Sequence, residues 1–218
     1  MLKLIPSWFI RYKFFNSLFL GLSVGAIFTL YAPLEPSIYS LGGVLLAVAM
    51  LIVARFYHTI LNAKWFFRIS LFVEVVLLLA MLYFLYTSYN YQTALVLYIG
   101  YQITFVFGSY LIRAETLLLK TDTLLTKLDT VKQLGYLFGM GFSYLFYKIL
   151  IYYGIDDNQT QVYNLHFLLI AVEIIVIILI FKSFKKVEAW VMKNGSNHME
   201  RNTKRSCRNW PSSVITKS

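Results

Sequence analysis

The chain has 218 residues, of which 59% are hydrophobic and 18% aromatic. Only 14% are charged, well below the roughly 25% of a soluble domain. The net charge of +10 is dealt out between apolar runs rather than along one polar face, which argues against nucleic-acid binding, and a single cysteine, Cys207, leaves no disulfide framework or cysteine-based metal site.

In chain order, apolar runs long enough to cross a bilayer fall at about 14–32, 37–54, 65–86, 91–119, 124–153 and 163–181. The fold class is therefore an all-α polytopic membrane protein with six transmembrane helices. Residues 1–13 carry Lys3, Arg11 and Lys13 and no cleavable leader pattern, so they are expected to be a retained cytoplasmic N-terminus. The first span holds Ser17, Gly21, Gly25 and Thr29 at four-residue spacing, and the fifth holds Gly135, Gly139 and Ser143 in the same pattern. Such small-residue stripes let helix backbones approach closely in lipid.

The third span places Glu74, and the sixth Glu173, about nine or ten residues in, near the bilayer midplane. A carboxylate there is costly, so each is a candidate coupling or proton-carrying group. Their contexts, "LFVEVVLLLA" and "LIAVEIIVII", match at a displacement of three spans, so the two copies run in opposite membrane directions. That pattern predicts a 3+3 inverted repeat.

Spans four and five, at roughly 29 residues and 43 Å each, exceed the hydrocarbon and must tilt or project. Between them Lys120–Thr123 reads as a tight turn, with Thr121 or Asp122 capping the fifth helix. Folding two antiparallel helices about position 121 sets Arg113 opposite Asp129 and Glu115 opposite Lys127, with Lys132 beyond. The hairpin is expected to carry these as two ion-paired rungs, which act as a gate.

All but Lys148 of the 20 basic residues fall in the termini or around the 2–3 and 4–5 loops. The other loops, "APLEPS", "TSYNYQ" and "GIDDNQTQ", hold Glu35, Asp156 and Asp157 instead. This positive-inside pattern puts both termini in the cytoplasm, with the bacterial cytoplasmic (inner) membrane as the expected location. Residues 182–218 form a basic cytoplasmic tail; "FKSFKKVEAWVMK" reads as a short amphipathic helix on anionic headgroups, and the remainder as disordered. The Asn158-Gln159-Thr160 sequon would matter only in a secretory-pathway host.

His58, His166 and His198 are scattered, and no zinc-protease, nucleophile-elbow, P-loop or dinucleotide motif is present. No enzyme activity, metal or cofactor is expected. Six spans as 3+3, cytoplasmic termini and a charged 4–5 hairpin over about residues 8–186 resemble the N-terminal half of a major facilitator superfamily transporter. Arg113 is similar to that family's helix-four arginine and "GYLFGMG" to its glycine-rich helix five, whereas "ARFYHTILNAKW" keeps only the basic residues of its 2–3 loop signature. The resemblance implies a secondary transporter, or half of one, that moves a small solute by rocking of helical bundles. It further implies that helices one and four line the solute cavity, nominating Asn16, Ser23, Thr29, Gln102, Thr104 and Arg113. Members normally have twelve helices, so a homodimer or a second six-helix subunit is the expected partner. The competing reading is a non-transporting membrane scaffold or assembly protein, or a truncated transporter half.

Overall fold

The computed structural model describes residues 2–87 and 89–186. The helices run α1 (Pro6–Tyr31), α2 (Pro36–Arg55), α3 (Tyr57–Ile60), α4 (Ala63–Tyr86), α5 (Tyr91–Val106), α6 (Gly108–Leu119), α7 (Asp122–Tyr152) and α8 (Asn158–Lys182). Two short strands, β1 (Leu2–Leu4) and β2 (Phe184–Lys186), form a two-stranded sheet. Counting α5 and α6 as one span, six helices are long and apolar enough to cross a membrane. The chain is thus an all-helical integral membrane protein in its spanning region.

Local chemistry sets the helix ends. Pro6 and Pro36 occupy first-turn positions, where the missing N–H costs nothing. Asn62, Asn90 and Asp157 cap α4, α5 and α8 by accepting the amides of Trp65 (3.1 Å), Thr93 (2.9 Å) and Thr160 (2.8 Å). The α6–α7 turn runs through Lys120 at φ 56°. Thr121 stands at the cap position of α7, but its hydroxyl turns back to the Leu119 carbonyl (3.5 Å), so neither Thr121 nor Asp122 caps the helix as expected.

Three boundaries differ from the hydropathy reading. α1 begins at Pro6 rather than 14, because Lys13 is buried and paired instead of ending the span. α8 begins at Asn158 rather than 163, behind its Asp157 cap. The fourth span breaks at Phe107 (φ −91°, ψ −3°), shortly after the Thr104 hydroxyl bonds back to the Tyr101 carbonyl (2.7 Å), a competing bond that bends helices. In the tail, Phe184–Lys186 is strand and not the start of an amphipathic helix; that reading beyond 186, and the disorder expected there, lie outside the described residues.

Within Leu4–Lys185, α1 is the central helix and packs on α7, α8 and α5. α4 packs on α8, α5 and α6, while α2 lies against α5 and buries no residue. Apolar burial supplies little drive between helices in lipid, so close dispersion contact must do so. The α1–α7 seam shows how. A methyl on Gly21 would strike the Tyr136 carbonyl, one on Gly135 the Phe14 carbonyl, and one on Gly139 the Leu18 carbonyl. Gly25 is closed by Tyr147, 3.1 Å from where a Cβ would stand. The two small-residue stripes therefore face one another, and glycine is required at the seam.

Candidate functional site

Within α1, Tyr12 and Asn16 stand one turn apart on the face toward α4 and α8. On α4, Ser70 and Glu74 share the same spacing, and on α8 Glu173 faces the same interior. Glu74 and Glu173 are 1% and 0% exposed, at the junction of three helices. At 1.5 Å per residue they lie roughly 14–17 Å from the lysine- and arginine-bearing ends of their helices, about mid-bundle.

Glu74 Oε1 accepts the Tyr12 hydroxyl at 2.6 Å and the Asn16 amide at 3.0 Å. The two carboxyl groups are close enough at this junction to act on one another electrostatically. Yet Glu74 Oε2 and both oxygens of Glu173 meet no N–H or O–H donor among the described residues. Two facing carboxylates offer only acceptors, and like charges this close cannot both persist in a poor dielectric. A proton held between them resolves both problems, since one carboxyl then donates to the other. Among the described residues the Ser70 hydroxyl, also buried, has no hydrogen-bond partner either.

A second ionic cluster lies one helix face away. Glu115, on α6 and 3% exposed, is held between Lys13 of α1 and Lys132 of α7. The Lys132 contact is 2.5 Å, and Lys132 also stands 3.8 Å from the exposed Asp129. The expected rungs Arg113–Asp129 and Glu115–Lys127 are therefore not the pairs that form. Pairing by sequence number ignored helical phase: residues two apart point roughly 200° apart around a helix, so 113 and 115 cannot both face one neighbour. Moreover, α7 packs chiefly on α1 rather than on α6. Lys127 is exposed, and Arg113, also exposed, lies over the Tyr57 ring at 5.7 Å.

Among the described residues, those nominated for a solute cavity are dispersed. Asn16 reaches the carboxyl pair directly. Ser23 donates to the Leu20 carbonyl (2.9 Å). Thr29 offers its carbonyl to Tyr89, and Thr104 is spent on the Tyr101 carbonyl. Gln102 lines a separate, otherwise apolar groove of about 320 Å³ between α2 and α5. Sequence reasoning missed Tyr12 and Lys13 as site residues. Tyr12 precedes a lysine outside the hydropathy-defined span, and the one signal it offers is a spacing of four from Asn16.

No family model, curated protein or solved structure matches the chain.

Proposed function

We propose that the chain is a proton-coupled secondary transporter, or one half of one, in which Glu74 and Glu173 bind the coupling proton and a small solute moves as helical bundles rock. The observation that carries this reading is the buried carboxyl pair, three of whose oxygens face no donor in the middle of a membrane bundle. Intramembrane carboxyl groups are expensive and mark proton or ion pathways.

The packing pattern supports a 3+3 inverted repeat like that of a major facilitator half. Exchanging the first three spans for the last three turns α1–α7 into α5–α2 and α1–α8 into α5–α4, and returns α4–α8 and α1–α5 to themselves; all six pairs pack. Glu74 and Glu173 are then equivalent positions of the two repeats, meeting on the pseudo-two-fold axis. A solute site requires a second bundle to rock against. The faces open to it are α2, which buries no residue, and the outer side of α7. The partner is a second copy in parallel orientation or another six-helix subunit. The basic loops and termini support a location in a bacterial cytoplasmic membrane with both termini inside.

One observation favours the non-transporting scaffold instead: among the described residues Gln102 lines an apolar groove away from the pair, Thr104 is spent on the Tyr101 carbonyl and Arg113 lies over the Tyr57 ring. Proteoliposomes decide between them. Vesicles are loaded with a mixed extract of small metabolites, and solute loss is followed by mass spectrometry with and without a pH gradient. Transport predicts gradient-dependent loss of at least one solute, abolished by Glu173→Gln. A wild-type protein that is dimeric, folded and moves nothing favours the scaffold.

A further inference from the structure

Two cations converge on one ring at the lysine- and arginine-bearing end of the bundle. The Arg11 guanidinium lies 4.7 Å, and the Lys182 ammonium 5.0 Å, from the centroid of the Trp8 ring. They come from different helices, α1 and α8, whose ends are tied where the Ile5 amide donates to the Ser183 carbonyl at 2.8 Å. The cations are therefore no farther apart than those two ring distances combined, and the fold holds them there. Both are exposed, and among the described residues neither forms an ion pair. The first turn of α1 carries no acidic side chain, and the sequence has none between Glu173 and Lys185, itself exposed on β2. Like charges this close repel, more so where lipid lowers the dielectric. The ring's quadrupole attracts each cation but cancels neither charge. An anion shared between them completes the arrangement, and a guanidinium beside an ammonium suits the oxygens of a phosphate.

The same corner carries an apolar path. Phe67 packs on Phe184 at 5.1 Å and on Phe181 at 5.7 Å, joining the start of α4 to the end of α8. Toward the bundle centre Phe167, Ala171, Ile174 and Ile178 are exposed at spacings of four, three and four, a single helical stripe that ends one turn below Lys182. From 167 to 182 it runs roughly 22 Å at 1.5 Å per residue. That is enough to seat one acyl chain across its leaflet, half of a hydrocarbon core about 30 Å thick. The faces assigned above to a second bundle are those of α2 and α7, so this stripe stays with lipid.

We propose that Trp8, Arg11 and Lys182 form a binding site for one anionic phospholipid, its phosphodiester held between guanidinium and ammonium and an acyl chain laid along the α8 stripe. Basic pockets between membrane helices recognise headgroups in this way. The stems of both cations cover apolar surface while their charged heads reach the interface. A soluble phosphate satisfies the cations but makes no use of the stripe. A zwitterionic lipid brings its own ammonium beside its phosphate, and so competes poorly. The site depends on the chain spanning a membrane and not on its moving a solute.

The test is native mass spectrometry of the full chain released from nanodiscs made of equal parts dioleoyl phosphatidylglycerol and dioleoyl phosphatidylcholine. Wild type should retain phosphatidylglycerol in preference to phosphatidylcholine. A cation beside an anionic headgroup is worth about fivefold in binding, so Arg11→Gln/Lys182→Gln should lower that retention by about thirtyfold. Lys127→Gln/Lys148→Gln removes the same charge from exposed positions elsewhere and should leave retention unchanged. All four side chains are exposed, and circular dichroism checks that the helices remain. Dihexanoyl phosphatidylglycerol, with the same headgroup on short chains, should be held far more weakly than the dioleoyl lipid. Equal loss in the two double variants, or no preference for phosphatidylglycerol in wild type, refutes the site. Displacement of the long-chain lipid by inorganic phosphate, or equal retention of the short-chain lipid, would assign the cations to a soluble phosphate and refute the lipid.

Discussion

Replacing Gly139 by alanine tests the packing that places every other element. Its new methyl would meet the Leu18 carbonyl oxygen, and would stand 2.9 Å from Gly21 Cα and 2.9 Å from the Leu22 nitrogen. All three are backbone atoms, so no rotamer change relieves the collision, and with the Leu18 oxygen nearest of all α1 must move off α7 by about an ångström to restore ordinary contact at 3.4 Å. A gap of about that size forfeits roughly half of the dispersion well along the seam, and overpacking of this kind costs about 1–3 kcal/mol. Alanine's better helix propensity returns up to about 1 kcal/mol in aqueous hosts. The net expectation is a loss of about 1–2 kcal/mol. Gly141, two residues on and with nothing within 4 Å of its would-be Cβ, is the internal control, and Gly141→Ala should be neutral or mildly stabilising. Equilibrium unfolding in mixed micelles, read by circular dichroism, measures both. Equal stability of the two variants would show that the seam is not where the stripes meet.

Glu115→Ala should destabilise the protein by about 3–5 kcal/mol in the same assay, because it strands buried ammonium charge, whereas Asp129→Ala should cost less than about 1 kcal/mol. The carboxyl of Asp157 is held below the usual range by the Thr160 hydroxyl and amide. Its capping of α8 is therefore complete above the carboxyl's unfolded value and lost as pH falls through the lower folded value. Amide exchange at Gln159–Gln161 should accelerate only in that acid window, and not at all in Asp157→Asn if the cap is inert. With Cys207 removed, single cysteines at Ser37 and Asn158 should react with impermeant thiol reagents from outside intact cells and those at Lys64 and Thr121 should not; reversal would overturn the positive-inside orientation.

The six spans were legible because length and hydropathy act residue by residue, and the seam because four-residue spacing of small side chains is a one-helix signal. Glu74 and Glu173 were each legible as expensive carboxyl groups, but their meeting was not, since nothing in either segment records which helix lies opposite. The hairpin shows the same boundary from the other side. The hairpin's ionic residues were expected to pair among themselves, but among the described residues Arg113 and Lys127 form no ion pair, and Glu115 took Lys13 from a helix a hundred residues earlier and Lys132 from a position outside the assumed rungs. Helical phase decides which charges face inward, and long-range packing decides what they find there. Lys13 carries the lesson most plainly: a lysine that looked like the polar end of a span is instead 6% exposed inside the bundle.

The most direct measurement of the central claim is the equilibrium infrared spectrum of the reconstituted protein at neutral pH. The expected result is a protonated-carboxyl absorption from the Glu74–Glu173 pair, displaced when either residue is changed to glutamine and untouched by Asp129→Asn. A wild-type spectrum with only ionised carboxylate bands, or a protonated band indifferent to both glutamine substitutions, would contradict it.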